Sequence, residues 1–586
     1  MPPSIPQQDP RGNERAAALA KARELYQFTF ANNDIGFARS LPRQDALTPR
    51  YLLRAAELQA KLNTDLLVAD VAEFRDQGGS LRESAQSALQ AVRRAVLQRL
   101  WGPKRDPRVS PPAARVPETL SAYGELFQLI EPPRVINTWQ QDVEFAWQQI
   151  AGTAPVLIEV ERRPDALPEH FSAVFDRVCP DDTLAAAQCE GRLFRVDFQI
   201  LDGIQTGITN GYRKFLSAPI LHLVLEPSAK GHHHRRLLPL HIQLDQHRTS
   251  TNGFTPEDGA AWQLAKATVQ MAYSNYHGVV QHLTRTHIVT LNVALATYRS
   301  LAPEHPIRVL LHPHFQYTLP LVNDLTQPLF LPGGKTTVLQ STSSEGAIEL
   351  IRRSIKTMRW NDEHPPNLFE RRGTLDASVL PEYPFRDDAM PLWDATQAFV
   401  ERYIRLYYAS DADVREDWEV QAWVALLQDA QGARLNDLGD DGEVVTIAAL
   451  VRLVTQIIWR VTTFHNVINY SVFDAMGYVP NMPTASYAPP PVQGQDYAFD
   501  DLRAVFPPLD IAKGTLADVY VVGHLLLERF GHYPAGTFED SRVLPLVAEL
   551  QRQLGQIEYQ VEQRNRHRRV PFEYLLPSRI ANSIQV

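Results

Sequence analysis

Two cysteines, Cys179 and Cys189, are all that the chain has in 586 residues. That scarcity excludes a disulfide-stapled scaffold and points to two free thiols. Charge of one sign is scarce too: 58 basic against 67 acidic residues leave a net charge of −9. No nucleic-acid partner is expected from so mild and acidic a balance. The opening Met1-Pro2-Pro3-Ser4-Ile5-Pro6 is polar and proline-rich, without the apolar stretch of a secretory leader. No uninterrupted apolar run reaches the roughly 20 residues of a membrane span. The expectation is a soluble, cytoplasmic protein, with peripheral membrane contact left open.

What is present is a long globular chain, 44% hydrophobic and 21% charged, with 43 prolines. Its length exceeds the usual single-core domain of about 100–200 residues, so several cores or one large helical body are expected. Residues 1–13 are expected to be disordered. From Glu14 to about Leu100 few helix breakers occur, and Leu52, Leu53, Ala56, Leu58, Leu62 and Leu66 recur near helical spacing. This predicts a helical extension over 14–50 and amphipathic helices beyond it. Residues 102–118 read as a Pro/Arg-rich connection.

Strand-like runs follow at Val156–Val160, Leu193–Phe198, Ile220–Leu225 and Leu237–Leu244. The last two flank His232-His233-His234, which reads as a surface hairpin tip, because adjacent side chains diverge. Helical patterns run from Trp262 to about Arg299, Asp394 to Tyr408, Val445 to Tyr470, 513–530 and 541–566, with a proline-rich loop at 479–498. The fold class is mainly α, with a small β portion between about 155 and 245.

The chemistry lies in two of these helices and in the last residues. His465 and Asn469 are four apart, about 40° around a helix, and share one face. By itself such a pair is more often a buried histidine capped by its neighbour than a ligand set. His277, His282 and His287 are spaced by five, which places successive rings about 140° apart on a regular helix. The spacing therefore predicts either no shared site or a local π-turn, in which residues five apart stack. One of the three histidines reads as a core residue. Ala581-Asn582-Ser583-Ile584-Gln585-Val586 is unusually apolar for a terminus, and a carboxylate buried there must be paired or bind a metal. Three imidazoles, an amide oxygen and a carboxylate form a mixed N/O set that suits iron or manganese better than structural zinc.

These motifs resemble the lipoxygenase family in order and spacing. They are Trp262-Gln263-Leu264-Ala265-Lys266 through His277, His282 and His287; then His305-Pro306 through His312-Pro313-His314-Phe315; Gln421-Ala422-Trp423; and Leu576-Pro577-Ser578-Arg579-Ile580 through Ile584. The resemblance covers residues 50–586 and implies a large lipoxygenase-type helical catalytic domain, without the N-terminal β-barrel of many members. It implies His282, His287, His465, Asn469 and the Val586 main-chain carboxylate as metal ligands holding a metal-bound hydroxide, with His277 as the nearby non-ligand histidine. The implied cofactor is one non-heme iron, with manganese as the alternative. The implied reaction inserts O2 into a polyunsaturated fatty acid by bis-allylic hydrogen abstraction, giving a hydroperoxide. A hydroperoxide isomerase on the same scaffold is the alternative, followed by a non-catalytic lipid-binding protein. A zinc hydrolase would need a base such as the Glu of HExxH, and neither histidine-bearing helix has one. A monomer is expected.

The chain also departs from the family pattern. Leu291-Asn292 stands where many members have Glu-Pro; Gly278 and Val472 replace two glutamines that link the Asn ligand to the substrate cavity in some relatives. Ser354 aligns with the small residue that gates the position of O2 addition, and is expected to contact substrate.

Overall fold

The computed structural model describes residues 3–76, 117–163, 167, 171–209, 211–227, 235–247, 249 and 252–586. The His232–His234 tip and nearly all of the 102–118 connection lie outside the described residues.

Helix α1 (Gly12–Leu25) buries Arg15, Leu19 and Ala22, one stripe at helical spacing. Helix α2 (Pro49–Asp76) starts on a proline, which costs nothing where no N–H partner exists. Its buried seam is Tyr51, Leu58, Leu62, Asp65 and Ala69. Leu52 and Leu53, expected in that seam, are instead 54% and 73% exposed. Tyr51 opens the stripe, and its two successors turn away from it by about 100° and 200°.

Two expectations for the N-terminal region need correction. Residues 3–13 are ordered: Ile5 is fully buried, and the Ser4 N–H donates to the Glu304 carbonyl at 3.1 Å. The 14–50 segment is only half helical. After α1 it forms a short ribbon, β1 (Phe28–Thr29) antiparallel to β2 (Phe37–Ala38), closed through Asn33 and Asp34 at positive φ.

The β portion falls where the sequence placed it. Strands β3 (Glu159–Val160), β4 (Leu193–Asp197), β5 (Ile220–Leu225), β6 (Leu237–Gln243) and β7 (Gly253–Phe254) form one antiparallel sheet in that order. Register is set by pairs such as Glu159 with Arg195 and Ile220 with Gln243, with a shift after His222.

The rest is a helical body around two long central helices. The first runs unbroken through α3 (Ala260–Asn275), a 13-residue π-helix (Tyr276–Ile288) and α4 (Val289–Ser300). It is buried nearly all round, as a core helix must be. Further along are α5 (Lys335–Leu339), α6 (Ser344–Thr357) and α7 (Pro384–Ile404). The second central helix comprises α8 (Ile447–Trp459), a π-turn (Arg460–Phe464), α9 (His465–Tyr470) and α10 (Val472–Met476). It is long and apolar enough for a membrane span, but 89% of its most apolar window is buried inside the fold. Then come α11 (Leu509–Val522) and α12 (Leu544–Asn565). The helix expected over 513–530 ends early, because Gly523 closes α11 against Phe473. The residues after it turn to meet the C-terminal tail: Phe530 N–H donates to Ile580 O at 2.9 Å. Among the described residues no β-barrel precedes the helical body.

Candidate metal centre

The π-helix decides where the histidines point. With i→i+5 hydrogen bonding, residues five apart stack, and hydroxyls show the same register. Thr284 Oγ1 donates to Val279 O at 2.6 Å and Thr286 Oγ1 to Gln281 O at 2.8 Å. The open alternative in the sequence thus resolves to the π-turn. His282 and His287 lie edge to face with ring centroids 4.5 Å apart, and His465 approaches them to 5.8 and 5.3 Å. One nitrogen from each ring lies within 4.8 Å of the other two.

His277 is the histidine left out of this trio. Its Nε2 pairs with the Ile468 carbonyl at 2.7 Å, tying the π-helix to the helix that carries His465 and Asn469. Burial pushes its pKa down to about 4, so it packs as a neutral ring.

The trio itself lacks partners. Nε2 of His282, Nε2 of His287, both ring nitrogens of His465 and Oδ1 of Asn469 are buried and make no hydrogen bond of normal geometry. Each unmet buried polar atom costs on the order of 1–3 kcal/mol, so this cluster calls for a common partner. Burial, and then neighbouring imidazoles, hold all three histidines well below the usual value, which keeps their lone pairs free. Asn469 donates Nδ2 to Val522 O at 2.9 Å, and its side chain lies beside His282, opposing the effect of burial there. The Val586 main chain is close enough to His465 to oppose the effect of burial there. Neutral imidazoles, an amide oxygen and a carboxylate are the donor set of a non-heme metal, and the residues fit one.

The tail that brings Val586 here is held at every step. Ile580, Ala581 and Ile584 are fully buried. Ala581 N–H donates to Asn466 Oδ1 at 3.1 Å, and Asn582 N–H to Glu528 O at 3.0 Å. Gln585 accepts from Leu527 N–H at 2.6 Å and donates to Glu528 O at 2.9 Å. His314 reaches the Asn582 carbonyl at 2.8 Å, so the His312-Pro313-His314 motif serves as a clamp on the tail.

His277, His282, His287 and Val586 line a cavity of about 490 Å3, within the usual range for a small-molecule site. Its walls are mostly apolar, with Leu283, Leu321, Val472 and Val519 among them, and α2 covers it with Tyr51 and Ala55. At its mouth Lys335 is ion-paired with Asp518. A larger hollow of about 880 Å3, by Cys179 and Arg236, includes none of the four.

Ser354 is not brought into the cavity. It is fully buried on α6, and its hydroxyl accepts from Arg285 Nε at 3.3 Å. Arg285 in turn pairs with Glu363 at 2.8 Å. Three further groups were missed from the sequence: the Val522 carbonyl, Lys335 and Gln340, whose amide fills the space beside Gly278. Only the bare glycine at 278 hinted at the last.

A family model described as Lipoxygenase matches residues 237–506. The chain is 33% identical over 481 residues to the polyunsaturated fatty acid lipoxygenase ALOX8 of Mus musculus, covering 80% of the chain and 69% of the relative. It is 29% identical over its whole length to the linoleate 9/13-lipoxygenase of Pseudomonas aeruginosa, covering 93% of that protein. The first mammalian relatives are longer, and the chain spans 66% of their length. Among solved structures, a lipoxygenase variant crystallised anaerobically with arachidonate superposes with a TM-score of 0.85 at 25% identity, covering 100% of this chain and 84% of that one.

Proposed function

Because the chain belongs to the lipoxygenase family, we propose that it is a non-heme iron dioxygenase that inserts both atoms of O2 into polyunsaturated fatty acids of the linoleate or arachidonate type. The observation that carries this reading is the convergence of three buried imidazoles, with His282 and His287 on the wall of an apolar cavity that Val586 also lines. His282, His287, His465, Asn469 and the Val586 carboxylate would hold the metal. When bound, it supplies the one-electron redox chemistry that removes a hydrogen atom from the carbon between two cis double bonds. Manganese is the alternative metal for the same ligand set.

The chain's own residues supply the remainder. Leu283, Val472 and Val519 exclude water and hold the diene beside the histidines, so that O2 meets one end of the pentadienyl radical. His277 keeps the two histidine-bearing helices in register through Ile468. Lys335, at the mouth, exchanges Asp518 for the fatty-acid carboxylate. Leu52 and Leu53, exposed on the helix that covers the cavity, give a lipid surface an apolar point of contact.

Oxygen uptake with linoleate and arachidonate, followed by product identification, tests the proposal. Protein carrying about one iron per chain that consumes no O2 with either acid would sink it. Conversion of an added hydroperoxide without O2 uptake would instead point to an isomerase.

A further inference from the structure

One polar side chain in the cavity wall takes no part in the site described so far. Gln340 follows α5, its N–H donating to Thr336 O at 3.0 Å. Its carbonyl accepts from the buried Lys214 ammonium, which also donates to Thr337 O at 2.8 Å. The next N–H, of Ser341, is held by Asn275 Oδ1 at 3.1 Å, at the end of α3. The main chain of Gln340 is thus fixed on both sides, and its side chain is aimed at the π-helix.

It lands on Gly278. A β-carbon there would lie 1.9 Å from Gln340 Nε2 and 3.1 Å from Cδ, so the carboxamide occupies the room that any larger residue would need. Gly278 sits between His277 and His282, and all four residues line the same cavity. Gln340 Oε1 is buried, and no described group donates to it. The nearby Thr484 hydroxyl is already committed to Leu339 O at 2.8 Å. An unmet acceptor in a ligand cavity favours a ligand with a matching donor.

A plain polyunsaturated acyl chain carries no such donor along its length, whereas a hydroxylated or hydroperoxylated one does. We propose that Gln340 is a specificity-determining residue whose amide hydrogen-bonds a hydroxyl or hydroperoxyl group on the acyl chain, so that the cavity binds oxygenated polyunsaturated fatty acids in preference to their parents. The unmet atom is the acceptor Oε1, so the ligand group must be a hydrogen-bond donor, which an ether is not. The inference rests on the reading of the cavity as a fatty-acyl site. Its consequence is that a first product competes with fresh substrate.

The test is equilibrium binding to the metal-loaded protein without O2, by calorimetry. The ligands are arachidonate, a set of its positional hydroxy derivatives, and their O-methyl ethers. At least one hydroxy acid should bind about 3- to 10-fold tighter than arachidonate, the return on one hydrogen bond, and its methyl ether should lose that gain. In Gln340→Leu and Gln340→Met the ratio of hydroxy acid to parent should fall to about 1. Equal affinity of hydroxy acids and ethers for the unmodified protein would overturn the proposal, and that comparison needs no variant to fold. Persistence of the preference in both variants would overturn it as well. A Gln340-dependent preference in a protein that fails to oxygenate either acid would leave this inference standing and remove the dioxygenase reading. Oxygenation without the preference would do the reverse.

Discussion

The Asn469 side chain donates its amide hydrogen to the Val522 carbonyl at 2.9 Å while the same side chain lies against His282. A main-chain acceptor on α11 therefore orients this side chain, in a chain whose Gly278 and Val472 offer no side-chain amide for the task. Partners that orient a ligand in this way typically change metal affinity 10- to 100-fold when lost.

Asn469→Asp places an oxygen opposite the Val522 carbonyl, where no hydrogen bond is possible unless the acid is protonated. Metal retained per chain after dialysis against a chelator should fall at least about 10-fold in affinity terms. Elemental analysis beside the unmodified protein reads this directly, and full retention would show that Val522 does not orient the ligand.

Extending the chain past Val586 by a single residue removes the carboxylate from the place the tail gives it. Metal content and O2 uptake should both be lost, whereas Val586→Ile, which keeps the main-chain group, should change neither by more than about 2-fold. The tail's burial up to Gln585 leaves no slack to absorb an insertion.

Much of this was legible in the sequence. The five-residue histidine spacing left either no shared site or a π-turn, since a regular helix turns such rings apart, and the apolar tail pointed to a buried end. The strands between 159 and 243 followed from their β-branched runs. What stayed hidden depends on contacts between distant segments. Val522 acts through its backbone, which no side-chain pattern reports. Leu52 and Leu53 belong to the helix but not to its seam. Ser354 aligned by spacing alone, yet Arg285 takes its hydroxyl.

The order found at the N-terminus has an energetic cause. Arg15, 3% exposed, forks onto the fully buried Glu419 and also pairs with Asp9 at 2.9 Å. Arg15→Met strands a buried carboxylate and should cost about 3–5 kcal/mol, read by chemical denaturation. Adding Glu419→Gln should restore part of that loss. Deleting residues 1–45 would carry the same penalty, so Leu53→Ser with vesicle co-sedimentation is the cleaner probe of lipid contact.

His314 should impose an acid limit on stability. Burial pushes its pKa down to about 4 while it holds the Asn582 carbonyl. The unfolded chain, with an ordinary histidine value near 6.5, binds the proton more readily than the folded one. Its contribution is therefore complete above about pH 6.5 and is lost as pH falls toward 4, amounting to about 3 kcal/mol. His314→Gln should be less stable at pH 7.5 but show a flatter melting temperature between pH 7 and 4.5; an unchanged slope would contradict this.

Lys335 should distinguish free acids from esters. Lys335→Met removes the only ammonium lining the cavity among the described residues and should raise KM for linoleate several-fold, with little effect on methyl linoleate. Equal effects on both would rule out a carboxylate contact.

The clamped tail also bears on how the protein is made. Both histidine-bearing helices leave the ribosome well before residues 580–586, and the groove between Asn466, His314 and Glu528 stays open to water until that segment docks. The candidate metal centre is thus among the last parts of the described chain to close. A chain cut short of residue 580 would lack the segment that these contacts hold against both helices.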